Sequence, residues 1–328
     1  MVKKEWIDKG FVDEPVAKEL DLKSEIRELC RKKNAVIMAH YYTEGIIQDL
    51  ADFVGDSLAQ KAAKTEADII VMCGVHFMGE TNKILCPDKK VLVPDLNATC
   101  SLAESCPADE FSRFVSAHPD HTVISYVNTT AATKAVTDVV VTSSNARQIV
   151  ESFPSDEKII FGPDRNLGNY INSVTGRDML LWDGACHVHE KFSVEKILEL
   201  KKSHPEAKVL AHPECKGAVL KLADVVGSTA ALLKYAICHE GKEFIVATES
   251  GILHEMQKAC PEKTFIPAPP DDSTCACNEC NYMRLITLEK LYNTLKYEWP
   301  EIVVDAEVAE KAVKPIHRML EISEKLGL

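Results

Sequence analysis

The sequence predicts an α/β protein built from three copies of one α/β/α module, each with a roughly four-stranded parallel sheet. Three observations carry this. Short apolar runs alternate with helix-length segments from residue 35 to about 267, as in consecutive βαβ units. The runs are apolar at successive positions, as in sheets covered on both faces by helices. A set of residues also recurs at a spacing of 86 over some 20 positions without a gap, which marks an internally repeated unit.

The repeat is visible residue by residue. His40, Tyr126 and His212 each end an apolar run, and Tyr42, Asn128 and Glu214 follow two positions later. Asp52, Asp138 and Asp224 keep the same spacing, as do the hydroxyl residues Ser57, Ser143 and Thr229. Leu50, Val136 and Leu222, with Val54, Val140 and Val226, stay apolar. Each module therefore reads as a strand, a helix, a short strand entered through Asp, and a helix starting near Ser or Thr. Two more strands follow in each.

Taken in order, 13–33 carries Val16, Leu20, Leu22, Ile26, Leu29 and Cys30 on one stripe and is expected to be a helix. Strands are expected at 35–39, 53–54, 68–72 and 90–93, then 122–126, 138–141, 158–161 and 178–181, then 208–211, 224–226, 243–247 and 264–266. Segments 287–297 and 306–326 read as amphipathic helices packed back on the first module. The modules are expected to span 1–101 with 281–328, then 102–187, then 188–280. Pro and Asp make 267–281 a loop.

Of the 328 residues, 46% are hydrophobic and 27% charged, the make-up of a globular protein with real cores. A net charge of −12 argues against a nucleic-acid or anionic-membrane partner, which would require a basic face. The N-terminal stretch is charged and lacks the apolar core of a signal peptide, and no apolar run approaches the ~20 residues that span a bilayer. The expected location is the cytoplasm, where 12 Cys point to metal ligation, catalysis or core packing rather than disulfides.

The cysteines carry the first chemical signal. Cys100 and Cys186 are 86 apart, each after the last strand of its module, and a third is expected near residue 272. There the chain has Cys275, Cys277 and Cys280. Three loop thiolates on a pseudo-threefold axis suit an iron–sulfur cluster or zinc. A cluster held by three Cys leaves one iron open to act as a Lewis acid. Three structural thiols are the plain alternative, and a redox or metal-sensing role for Cys275, Cys277 and Cys280 is another.

The strand ends carry the second. Ligands of open α/β sheets gather at the carboxyl ends of strands, and His40, Tyr42, Tyr126, Asn128, His212 and Glu214 lie there. His and Glu move protons near neutral pH and Tyr donates to an oxyanion. Ser57, Ser143, Ser228 and Thr229 precede helices, where a hydroxyl can cap the helix, bind an anion, or both. His189 lies three positions past Cys186. There is no G-x-G-x-x-G and no P-loop.

The motifs AHYY, DLADFVGDS, GVHFMGE, PDLNATCS, YVNTT, TSSNA, FGPDRNLG, GACHVHE, HPEC, VGSTA, ATESG and CNYM occur in that order between about 35 and 320. This set resembles the quinolinate synthase family. The resemblance implies three α/β modules with pseudo-threefold symmetry around a central [4Fe–4S] cluster. It implies condensation of iminoaspartate with dihydroxyacetone phosphate to quinolinate, phosphate and water in NAD biosynthesis, with a separate enzyme supplying iminoaspartate. Carried over by motif, Cys100, Cys186 and Cys280 are the cluster ligands. Tyr42, His212 and Glu214 are the proton-transfer candidates. His40, Ser57, Tyr126, Asn128, Ser143, His189, Ser228 and Thr229 bind substrate. The family varies at the third cysteine site; here the pattern is C-x-C-x-x-C, so Cys277 competes with Cys280, and a disulfide between Cys275 and Cys277 stays open. Another [4Fe–4S] hydro-lyase on the same scaffold is the rival enzyme reading.

Overall fold

The computed structural model describes residues 2–56, 59–272 and 278–328. Ser57, Cys275 and Cys277 therefore lie outside the described residues. Among the described residues, twelve strands form three four-stranded sheets whose strand pairings are all parallel. The first holds β1 (Ala35–His40), β2 (Phe53–Gly55), β3 (Ile69–Cys73) and β4 (Lys90–Leu92) in the order β2-β1-β3-β4. The second holds β5 (Thr122–Tyr126), β6 (Val139–Val141), β7 (Ile159–Gly162) and β8 (Leu180–Leu181) as β6-β5-β7-β8. The third holds β9 (Lys208–Ala211), β10 (Val225–Val226), β11 (Glu243–Ala247) and β12 (Thr264–Pro267) as β10-β9-β11-β12. All twelve expected strands are present and the topology repeats three times.

The repeated Asp turns out to be a structural clasp. Asp52 accepts the Ile37 N–H on Oδ2 at 2.8 Å and returns its own N–H to the Ile37 carbonyl at 2.9 Å. Asp138 does the same with Val123, at 2.8 and 2.9 Å, and Asp224 with Val209, at 2.8 Å both ways. Each clasp aligns the short second strand against the first before their ladder begins. Without the carboxylate, one buried N–H per module would lack a partner.

Other repeated positions act alike. Gln48 donates to the carbonyls of Tyr41 and Thr43 at 2.9 and 2.8 Å. Lys134, 86 residues on, donates to those of Val127, at 2.8 Å, and Thr129. An amide and an ammonium thus satisfy the same loop after the first strand. A basic residue ahead of each last strand also stops a helix end: Lys89 on the Thr65 and Ala67 carbonyls, Arg177 on Phe153, and Lys263 on Ala236 and His239.

By contacts the described chain forms two units, Met1–Cys100 with Cys280–Ala306, and Ser101–Glu279 with Glu307–Leu328. In the first, one face of β1 and β3 (Ile37, Ala39, Ile69, Val71, Cys73) packs with Ile26, Ile47, Leu291 and Leu295 in one buried hydrophobic cluster. In the second, the module-two sheet packs Val123 and Ile160 on Phe111, and the module-three sheet packs Val209, Ala211, Ile245 and Ala247 on Phe192 and Ile197.

Two expectations about helices change. The stretch 13–33 is helical only over Leu22–Lys33, because Asp21 caps it by accepting the Ser24 N–H. The helix Ala306–Leu326 joins the second module rather than the first: Ser323 accepts from Asn145 at 3.2 Å, Arg318 donates to the Asp138 carbonyl at 3.5 Å, and its guanidinium covers the Phe153 ring. Its stripe of Ala312, Ile316 and Met319 shows that a face is buried but does not choose which module buries it.

Candidate active site

The loop after β8 presents Cys186. Trp182 continues the edge of the sheet, its backbone N–H on the Phe161 carbonyl at 2.9 Å and its indole N–H on the Ser105 carbonyl at 2.8 Å. Gly162 lies directly under it, and a Cβ there would collide with the Trp182 Cβ. The chain then turns, and the Gly184 carbonyl accepts the Arg165 N–H at 2.8 Å. Cys186 donates its own N–H to Asp164 Oδ2 at 2.9 Å. Asp164 is fully buried, and its Oδ1 accepts the N–H groups of Asn166 and Leu167 at 2.6 and 3.0 Å. One carboxylate therefore caps the helix Arg165–Thr175 and holds the cysteine loop to it. Ser101 and His187, which follow Cys100 and Cys186 and are 86 apart, bond to each other, Oγ to Nδ1 at 2.6 Å. Burial, with the nearby Lys191 and His189, lowers the His187 pKa and keeps the ring neutral.

Past Cys186, a turn closed by Glu190 N–H on the Cys186 carbonyl at 3.0 Å carries His189 into the interior. His189 meets residues from two strand ends, and Glu214 joins a third to them. Its Nε2 lies 3.0 Å from Thr248 Oγ1, just beyond β11. Its Nδ1 lies 3.1 Å from Glu214 Oε2, just beyond β9, close but too misaligned for a hydrogen bond. Tyr126, the last residue of β5, donates its hydroxyl to Glu214 Oε1 at 2.8 Å. The His212 ring lies 4.8 Å from that of His189, centroid to centroid. Its Nδ1 accepts the Glu214 N–H at 3.4 Å, so the ring proton resides on Nε2. Modules two and three thus place Tyr126, His189, His212, Glu214 and Thr248 in one buried polar cluster.

Burial works to raise the Glu214 pKa, but the His189 and His212 rings and the Tyr126 hydroxyl outweigh it and hold Glu214 as a carboxylate. Asp164 goes the other way. Burial and the charge of Glu214 push its pKa up, against the three N–H bonds it receives. Two nearby buried carboxyls pushed apart in this way can divide acid and base roles.

The first unit repeats the histidine turn. His40 Nδ1 accepts the Tyr42 N–H at 3.1 Å, the counterpart of His212 with Glu214, and the two rings meet edge to face at 4.4 Å. Arg284 donates to the Tyr42 carbonyl at 3.4 Å. Asn128 and Ser143 are half-buried beyond the ends of β5 and β6. Ser228 caps the helix Thr229–Cys238 by accepting the Ala231 N–H at 3.3 Å, and both Ser228 and Thr229 are buried.

The cysteines divide by environment. Burial pushes the thiols of Cys30 and Cys106 up to about 12, and those of Cys73 and Cys215 are raised as well. These remain inert core thiols. Cys100, Cys186 and Cys280 are half-exposed and not in disulfides. Each is a loop thiol, the kind of donor that an iron–sulfur cluster takes.

Three residues of this neighbourhood were not singled out as site residues from sequence. Asp164, Asn166 and Thr248 all lie just beyond the third strands β7 and β11. Asn166 donates to the Glu214 carbonyl at 3.1 Å and to the Glu190 carboxylate. Their place at strand ends was the available signal.

Residues 24–321 match the family described as Quinolinate synthetase A protein. The chain belongs to this family. It is 58% identical over 305 residues to the quinolinate synthase of Microcystis aeruginosa, covering 92% of this chain and 95% of that one. It is 58% identical over 306 residues to that of Nostoc punctiforme, covering 93% and 94%. It is 56% identical over 308 residues to that of Chloroherpeton thalassium, covering 93% and 96%. The family match thus spans all three sheets and reaches into the last helix.

Proposed function

We propose that this chain condenses iminoaspartate with dihydroxyacetone phosphate to form quinolinate, phosphate and water in NAD biosynthesis. The observation that carries the reading is near-full-length identity to quinolinate synthases, joined to a buried Tyr–Glu–His cluster able to move protons. A separate aspartate-oxidising enzyme supplies iminoaspartate, and the reaction takes place in the cytoplasm. The partners are small molecules, not nucleic acid or membrane.

Cys100, Cys186 and Cys280 would hold a [4Fe–4S] cluster, with the modules arranged around it in pseudo-threefold symmetry. Such a cluster supplies a Lewis-acidic iron that eases loss of a hydroxyl in the dehydrations. Glu214, held ionised, accepts a proton from carbon or nitrogen. His212 carries its proton on Nε2 and donates it to a developing oxyanion, and Tyr42 is the third proton-transfer group. Tyr126 orients the Glu214 carboxylate and, with His40, Asn128 and His189, binds the dicarboxylate. Ser57, Ser143, Ser228 and Thr229 bind phosphate and carboxylate groups, Ser228 and Thr229 from a helix start.

The test is an anaerobic incubation of cluster-loaded protein with both substrates. Quinolinate and phosphate are expected in equal amounts. No quinolinate from protein with an intact cluster would refute the synthase.

A further inference from the structure

We propose that, when no iron–sulfur cluster occupies Cys186, the side chains of Cys186, His189 and Glu214 bind a single divalent transition metal ion, best matched by zinc. Their ligand atoms all lie within 4.8 Å of one another. The sulfur, nitrogen and oxygen donors suit a borderline-soft ion, and three protein ligands leave a fourth position for water.

A second observation points to the same place. His189 is 2% exposed, and its Nδ1 has no hydrogen-bond partner although Glu214 Oε2 lies 3.1 Å away. A metal ion at Nδ1 would take the place of a proton there and leave the ring proton on Nε2, 3.0 Å from Thr248 Oγ1. The ion would replace a short but poorly aligned Nδ1···Oε2 contact in a buried space. The distance fits. Zinc bonds of about 2.0–2.1 Å in a tetrahedron set neighbouring donors about 3.3 Å apart. Thr248 would then serve as the outer partner that fixes the ring tautomer of a ligating histidine. The other carboxylate oxygen, Oε1, keeps the Tyr126 hydroxyl at 2.8 Å. This site shares Cys186 with the proposed cluster, so the two cannot be filled together, and zinc taken up first bars cluster assembly.

The experiment uses full-length protein stripped of iron under reducing, anaerobic conditions and titrated with zinc alone. Native mass spectrometry is expected to show one zinc per chain, and zinc-edge X-ray absorption one sulfur with nitrogen or oxygen neighbours. His189→Ala and Glu214→Gln each should weaken zinc by more than ~10-fold, since even losing an outer partner costs about that much. Cys100→Ser and Cys280→Ser should retain zinc. Three sulfur neighbours, or zinc lost in Cys100→Ser and kept in Glu214→Gln, overturns the proposal; the absorption spectrum needs no variant to fold. Iron and sulfide reconstitution is then followed with and without prior zinc. Slowing that a chelator reverses supports exclusion, and an undiminished rate with zinc retained contradicts it. Failure to assemble a cluster in zinc-free protein would instead count against the cluster itself.

Discussion

Tyr126 donates its phenolic hydroxyl to Glu214 at 2.8 Å, joining two strand ends 88 positions apart in sequence. The bond ties a module-two residue to the module-three carboxylate, and it helps hold that carboxylate ionised. Glu214→Gln should lower kcat by about 10²–10⁴-fold, the usual contribution of a general acid or base. Tyr126→Phe should cost about 10- to 100-fold, as expected for a hydrogen bond to a charged group. Because the hydroxyl lowers the Glu214 pKa, its loss should move the acid limb of the kcat/KM profile to higher pH. In a Glu214→Gln background Tyr126→Phe should cost much less, which a double-mutant cycle would read.

The Asp clasps should matter for stability at all three repeated positions. Asp138→Ala leaves the buried Val123 N–H without its 2.8 Å acceptor, at a cost of about 1–3 kcal/mol. Asp52→Ala and Asp224→Ala should follow in the same direction. Denaturant melts of the three variants check this, and a clasp whose removal shifts nothing would show that the bond is dispensable there.

Asp164 is a positioning residue for Cys186. Asp164→Asn keeps an oxygen for the Asn166 and Leu167 N–H groups but turns an amide toward the Cys186 N–H. The variant should stay folded and retain less iron after gel filtration. Asp164→Ala should lose the cap of the helix Arg165–Thr175 as well, about 0.5–2 kcal/mol more. Iron retained at the wild-type level in Asp164→Asn would remove the role.

Glu298 gives an acid-stability prediction. Its hydrogen bonds with Lys33 and Lys90, both at 2.6 Å, lower its pKa from 4.5 to about 2. A carboxylate depressed on folding adds stability above its unfolded pKa, and that stability fades as pH falls through the folded value. The stability gap between wild type and Glu298→Gln should therefore be constant above about pH 5, narrow between pH 4.5 and 2, and close below. A gap independent of pH would contradict the ion pairs.

The strands and their grouping were legible because an ungapped spacing of 86 exposed the modules, and because buried parallel strands are apolar on both faces. The same spacing marked Asp52, Asp138 and Asp224, but sequence could not tell a clasp from a site residue; only the 2.8 Å bonds to the strand N–H groups do so. Asp164 and Thr248 escaped because the repeat offers no match: 86 positions from Asp164 stand Met78 and Ser250, and 86 before Thr248 stands Gly162. Apart from the family resemblance, His189 stood out only as a neighbour of Cys186, since its contact with Glu214 is made across modules. The side of the protein covered by Ala306–Leu326 depends on polar contacts from Arg318 and Ser323, which an amphipathic stripe does not encode.

The central claim is that three loop cysteines, and not the core thiols, hold a four-iron cluster. Iron and sulfide analysis of anaerobically prepared Cys→Ala variants tests it most directly. Cys100→Ala, Cys186→Ala and Cys280→Ala should each lose the intact cluster. Cys215→Ala and Cys106→Ala, if folded, should keep it. A full complement of iron and sulfide in Cys186→Ala would contradict the account.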